Sequence, residues 1–182
     1  MAEKRLSGTK ILMVIAPKEF RDEELLTPKK LLSEAGASVT VASTTADEAK
    51  GMLGAKIKPD VVLSSAAASD YHGVIVVGGM GSPEFLWKNA QLHSLIQEMN
   101  REEKVVAAIC LSGAVLANAG VLQNKRATVY STPESLQSLK DGKAQYVKEH
   151  VVQDGRIITA DGPQAAQKFG ESIIAELSKV KV

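Results

Sequence analysis

The sequence predicts an α/β fold, a doubly wound sandwich in which a mostly parallel central sheet lies between two layers of helices. Three observations carry that expectation. Residues 10–16 (KILMVIA), 73–77 (GVIVV) and 104–109 (KVVAAI) are apolar runs without period-two alternation, the pattern of parallel strands covered on both faces. Segments of helical period separate them. The order of the pieces, β-α-β, then β-α-β-α-β and a final helix, is that of right-handed crossover units. At 182 residues the chain suits one domain, read as 1–182 with residues 1–9 as a short N-terminal extension.

KILMVIA is the first central strand. The next helix is read from the spacing of Leu25, Leu26, Leu31 and Leu32 and is stopped by Gly36. Its start is dense in acid, with Asp22 and Glu23 expected to solvate the turn beside Glu24. Pro28 removes the N–H that would bond the Glu24 carbonyl, so a kink or loosened turn is expected there. SVTVAS (38–43) is the second strand. Between Thr44 and Ser69, two β-like pieces around Lys58-Pro59-Asp60 suggest a hairpin or edge excursion rather than another parallel unit. GVIVV then meets Gly78-Gly79 and a Gly, Ser and Pro loop, where a ligand or another backbone can approach closely.

Leu92, Leu95, Ile96 and Met99 mark a helix before the central strand. Further on, a strand is expected at 127–130, followed by a helix N-capped by Thr132 or Ser131 with Pro133 in its first turn. Asp154-Gly155 signals a hairpin within QYVKEHVVQDGRIITADGP. Ala166, Phe169, Ile173, Ile174 and Leu177 describe one face of a closing helix from Gln164 to Val180.

Charge is balanced, with 22 Lys plus Arg against 21 Asp plus Glu, and no long run of either sign, so neither a nucleic acid nor a membrane surface is expected as partner. No apolar run approaches the ~20 residues that span a bilayer. The single cysteine cannot form an internal disulfide, and the charged start MAEKRLSGTK lacks the apolar core of a signal peptide, so the cytoplasm is the expected compartment. No cofactor is expected, because Gly78-Gly79 lacks the G-x-G-x-x-G pattern with a later ribose-binding acid. No metal site is expected, because His72, His93 and His150 show no ligand spacing.

Chemistry concentrates in residues 104–120, KVVAAICLSGAVLANAG. The strand ends at Cys110 and passes without a loop into a small-residue helix, the pattern of a nucleophile in a sharp strand-to-helix turn, with small Ala108 and Ser112 two positions to either side. A sulfur at a helix N-terminus is expected to have a lowered pKa. The competing reading is a buried structural thiol. Three strand ends suggest one site: the acidic turn after KILMVIA, the Gly78-Gly79 turn, and Cys110. Cys110 would attack a carbonyl, the N–H groups of Gly79 and Leu111 would hold the oxyanion, and Glu24 would shuttle a proton. Gly78, Ser112 and Tyr130 are accessory candidates.

From about Lys10 to Leu177 the chain resembles the ThiJ/PfpI superfamily, through E-x-x-x-P at Glu24 to Pro28, the strand-Gly78-Gly79 turn, A-A-I-C at 107–110, and DGRIITADGP at 154–163. The resemblance implies a flavodoxin-like sandwich, a cysteine in a strained elbow, a protonated glutamic acid at Glu24, and a homodimer or higher oligomer. The chain departs from the family's peptidases, which carry histidine directly after the cysteine, where Leu111 stands. It also departs from the deglycase-like branch, which has a small residue, glycine and proline there and a histidine after the next strand, where this chain has Tyr130 and Ser131.

The leading expectation is therefore a cysteine-dependent enzyme acting on small reactive carbonyls or glycated proteins, of glyoxalase III or deglycase type. The alternatives are a PfpI-like peptidase or amidase, with histidine supplied by another subunit, and a redox sensor or chaperone acting through oxidation of Cys110.

Overall fold

The computed structural model describes residues 4–179. Residues 1–3 of the expected extension and Val180 of the expected closing helix lie outside the described residues. In chain order the first half contains β1 (Lys10–Val14), β2 (Lys18–Phe20), α1 (Asp22–Glu34), β3 (Ser38–Ser43), β4 (Ala49–Gly51), β5 (Lys56–Ile57), β6 (Val61–Val62), β7 (Gly73–Val76) and α2 (Ser82–Phe85). The second half contains α3 (Ala90–Arg101), β8 (Val105–Ile109), α4 (Gly113–Asn118), β9 (Arg126–Ala127), α5 (Pro133–Asp141), β10 (Gln145–Tyr146), β11 (Val151–Asp154), β12 (Ile157–Ala160) and α6 (Ala166–Leu177).

Seven strands form the central sheet in the order β11-β12-β8-β7-β1-β3-β6. Every neighbouring pair is parallel except β11 with β12. From β1 the chain crosses to β3 on one side and later returns to β7 on the other, so strand order reverses between β1 and β7. Ligands collect at the carboxyl ends of strands near such a point.

Both faces of the sheet are buried, which is why its runs are apolar without alternation. Ile11, Met13 and Ile15 pack with Leu25 and Leu32 of α1 and Phe169 and Ile173 of α6. Leu12 and Val14 face the other way, toward Leu92 and Ile96 of α3 and Leu116 of α4. At the end of α1, Gly36 adopts φ +104°. Its N–H donates to Ser33 O and that of Ala37 to Leu32 O, both at 3.0 Å, a Schellman closure that only a residue without Cβ adopts at little strain. No helix among the described residues is long and apolar enough to cross a membrane.

Two local expectations differ from the structure. The pieces flanking Lys58-Pro59-Asp60 do not pair with each other: β5 forms a hairpin with β4 in a small sheet that includes β2, whereas β6 joins the main sheet parallel to β3. Asp60 sets this division, because its N–H donates to Val41 O and its Oδ2 accepts the Val41 N–H, each at 2.8 Å. The strand expected at 127–130 stops at Ala127, within a separate pair of β9 with β10. Thr128 and Tyr130 instead cross the elbow, with Thr128 N–H donating to Thr159 Oγ1 at 2.9 Å. The helix α1 continues past Pro28, which is buried in its interior and packs where α6 crosses. There a Cβ on Gly170 would lie 3.4 Å from Pro28 Cα.

Candidate active site

Strand β8 delivers Cys110 at its carboxyl end with φ +61°, a left-handed conformation that costs of order 1–3 kcal/mol outside glycine and persists only where its surroundings enforce it. Residues Cys110–Ser112 make one 3-10 turn that runs into α4. The turn is held from several directions. Tyr130 N–H donates to Cys110 O at 3.1 Å, and Trp87 Nε1–H donates to Leu111 O at 2.9 Å. Ser112 is fully buried, its Oγ donating to Val77 O and sharing a hydrogen bond with Ser82 Oγ, both at 2.7 Å. Gly113 sits so tightly under the crossing chain that a Cβ would meet Thr128 O at 2.9 Å.

Glu24, on the first turn of α1, reaches the sulfur from the other side of the switch point. Its exposure is 0%. Its Oε1 accepts the Gly78 N–H at 3.1 Å, whereas Oε2 is buried with no oxygen or nitrogen partner. The Cys110 thiol is its side-chain neighbour. The approach requires Gly78, because a Cβ there would lie 2.6 Å from Cys110 Cβ and 2.6 Å from Glu24 Oε1. Gly79 adopts φ +115°, and a Cβ on it would strike the Glu19 carbonyl and the Arg21 N–H. Arg21 N–H donates to Gly78 O at 2.9 Å and ties the start of α1 to this turn.

Burial pushes the Glu24 carboxyl up to about 8, against its contact with Cys110, the Gly78 N–H and the Arg21 charge. Burial also pushes the Cys110 thiol up to about 12, aided by the Glu24 charge and opposed by the N–H groups of Leu111 and Gly79. Burial thus works against the lowering that a helix start favours. The six-residue α4 behind a single 3-10 turn returns less than desolvation of a residue 7% exposed removes. Burial favours the protonated form of both groups. A Glu24 carboxylate is placed to take the thiol proton when sulfur forms a bond.

Five of the candidate residues thus meet in one place: Cys110, Glu24, Gly78, Gly79 and Leu111. The N–H groups of Gly79 and Leu111 face the sulfur itself. Ser112 lies beneath the turn and supports it, and Tyr130 contributes its main-chain N–H while its side chain is exposed. Asp22 does not solvate the helix start as expected; it is buried and accepts the N–H groups of Leu53 at 3.0 Å and Ala55 at 2.9 Å. Glu23 pairs with Arg21 through two hydrogen bonds of 3.0 Å. The roles of Arg21, Asp22 and Trp87 carry no signal in the sequence, because each depends on a segment far along the chain. Among the described residues, no three His, Cys, Asp or Glu side chains gather to hold a metal ion.

A thiol at positive φ on the end of a buried parallel strand, with a buried acid from a neighbouring crossover against it, defines the class of α/β sandwiches built around a strained strand-to-helix turn. Within that class, the model of the DJ-1/PfpI family matches residues 9–176, and the chain belongs to that family. It is 46% identical over 179 residues to an uncharacterized protein of Methanocaldococcus jannaschii, covering 97% of this chain and 87% of that one. A deglycase of Pyrococcus horikoshii is 30% identical over 154 residues, covering 85% and 90%. The crystal structure of a ThiJ/PfpI domain protein from Brachyspira murdochii superposes with a TM-score of 0.90 at 29% identity, covering 99% of this chain and all of that one.

Proposed function

We propose that the protein is a cysteine-dependent enzyme acting on small reactive carbonyls or the protein adducts they form, of glyoxalase or deglycase type. The observation that carries this reading is the buried, half-satisfied carboxyl of Glu24 against the Cys110 thiol; the relative named a deglycase supports it. The Sγ–carbon bond forms as the carbonyl π pair moves to oxygen, and the protonated Glu24 carboxyl gives its proton to that oxygen as it takes the thiol proton in its place, giving a hemithioacetal with Glu24 protonated as before. With methylglyoxal, lactate is the expected product, formally substrate plus water. Equal lactate formation by wild type and Cys110→Ala would sink the reading.

A specific observation also favours a second role. Two N–H donors and a carboxyl around the sulfur suit the oxygens of a sulfinic acid. Mild peroxide is expected to add two oxygens at Cys110, read by intact mass. The peptidase reading gains no such support, since Leu111 follows the cysteine and His93 Nε2 is engaged with Trp87 O at 2.8 Å.

The working form is a homodimer in the cytoplasm, where a lone thiol stays reduced. Exposed Met52, Leu53 and Met80 support the dimer as an apolar patch beside the Gly79 turn, with Met80 N–H on Met52 Sδ at 3.5 Å. Light scattering is expected to give twice the chain mass, and Leu53→Glu with Met80→Glu is expected to halve it.

A further inference from the structure

The two main-chain N–H groups that face Cys110 Sγ, those of Gly79 and Leu111, belong to different segments of the chain. Each lies in a rigid peptide plane whose carbonyl is already held. Arg21 N–H donates to Gly78 O at 2.9 Å and Tyr130 N–H to Cys110 O at 3.1 Å, so each donor is oriented by the bond on the far side of its own plane. Neither bond sets the distance between the two segments.

The stretch after Gly79 sets that distance. Ser82 Oγ shares a hydrogen bond of 2.7 Å with Ser112 Oγ, and Trp87 Nε1–H donates to Leu111 O at 2.9 Å. The serine pair lies buried beneath the turn, whereas the indole grips the very residue that carries one of the donors. Trp87 is itself anchored. Its N–H donates to Ser82 O at 3.0 Å, and its carbonyl accepts from His93 Nε2 at 2.8 Å and from Asn118 Nδ2 at 3.0 Å. His93 belongs to α3 and Asn118 ends α4, so two helices hold the tryptophan main chain while its side chain packs against the cores on both faces of the sheet.

We propose that Trp87 is a positioning residue of the thiol site: its indole N–H holds Leu111 in register with Gly79, so that both main-chain donors point at Cys110 Sγ as negative charge gathers there. This rests on the reading of Cys110 as the reacting group. Hydrogen bonds to an ionised acceptor are roughly twice as strong as neutral ones, so the benefit of exact placement falls on the thiolate rather than on the thiol. The indole N–H therefore acts on the reactivity of the sulfur, and the indole ring acts on packing.

Trp87 is the single tryptophan, so global replacement of tryptophan by benzothienylalanine, in which sulfur stands for the indole N–H, deletes the hydrogen bond and keeps the shape. Wild type, Trp87→Phe and this analogue are compared in the pH dependence of Cys110 alkylation by iodoacetamide, with thermal unfolding followed in parallel. Both altered proteins are expected to alkylate about three- to tenfold more slowly, the worth of one hydrogen bond, with the whole profile displaced to higher pH. The analogue is expected to keep a Tm near that of wild type. Superimposable profiles for wild type and analogue overturn the proposal, as does a slower rate without displacement of the profile. In wild type, the single indole N–H resonance is expected to move when Cys110 is carboxamidomethylated, and an unmoved resonance overturns the coupling of Trp87 to the sulfur. None of these readouts uses a carbonyl substrate: if wild type forms no lactate from methylglyoxal, the carbonyl reading fails and the role of Trp87 is still decided by the profiles.

Discussion

Asp22 and Glu24 stand two residues apart on one helical turn, both buried, and their surroundings give them opposite work. Asp22 faces the β4-β5 hairpin and accepts two backbone N–H groups, with its carboxylate filling the space beside Gly51. Glu24 faces the elbow, accepts one N–H, and keeps an oxygen with no nitrogen or oxygen partner. A buried carboxylate with its donors supplied anchors a fold; one short of donors keeps its proton and becomes able to exchange it. Between them Glu23, at the surface, is held below the usual carboxylate range by its hydrogen bonds to Arg21.

The sharpest way to break this contrast is to remove one charge at a time. Glu24→Gln is expected to lower carbonyl turnover by about 10²–10⁴, the usual worth of acid–base catalysis, while Asp22→Asn stays within a few-fold of wild type. Equal losses in steady-state assays would make the two acids alike.

A smaller effect separates them in stability. Glu24 holds its proton to about 8 in the folded chain against 4.5 as its ordinary value, so the folded state binds more protons between those limits. Stability therefore falls as pH rises through that window, by up to about 1.4 kcal/mol per pH unit, and is fully present below it. Denaturant unfolding at a series of pH values is expected to show this slope in wild type and Asp22→Asn, and a flatter one in Glu24→Gln.

Asp22→Ala leaves two N–H groups of the hairpin unpaired and is expected to destabilise by about 1–3 kcal/mol, with a lowered Tm and unchanged Cys110 alkylation. Glu23→Ala, at an exposed pair, is expected to change stability by less than about 1 kcal/mol.

The contrast also marks how far the sequence can be read. Apolar runs covered on both faces announced the parallel strands, and the abrupt passage from Ile109 through Cys110 into a helix announced the elbow. Glu24 was legible through the family resemblance, which its E-x-x-x-P run to Pro28 carries. What distinguishes it from Asp22 was not, because the hairpin that claims Asp22 lies some thirty residues on and its N–H donors are main chain. The same reason hid the fates of β5 and β6: Asp60 divides them through bonds to Val41 on a distant strand. The extended run at 128–130 looks like a strand by composition, but its neighbours are the Cys110 carbonyl and a threonine hydroxyl rather than another strand. The rise in the thiol pKa was illegible for a related cause, since a helix start is visible in sequence and the depth at which it is buried is not.

The central claim is that Glu24 is the proton partner of Cys110. The pH dependence of Cys110 alkylation by iodoacetamide, measured in wild type and Glu24→Gln, tests it most directly. The rate in wild type is expected to rise through about pH 8 as Glu24 loses its proton and can accept that of the thiol, and this rise is expected to be absent in Glu24→Gln. Superimposable profiles for the two proteins would contradict the claim.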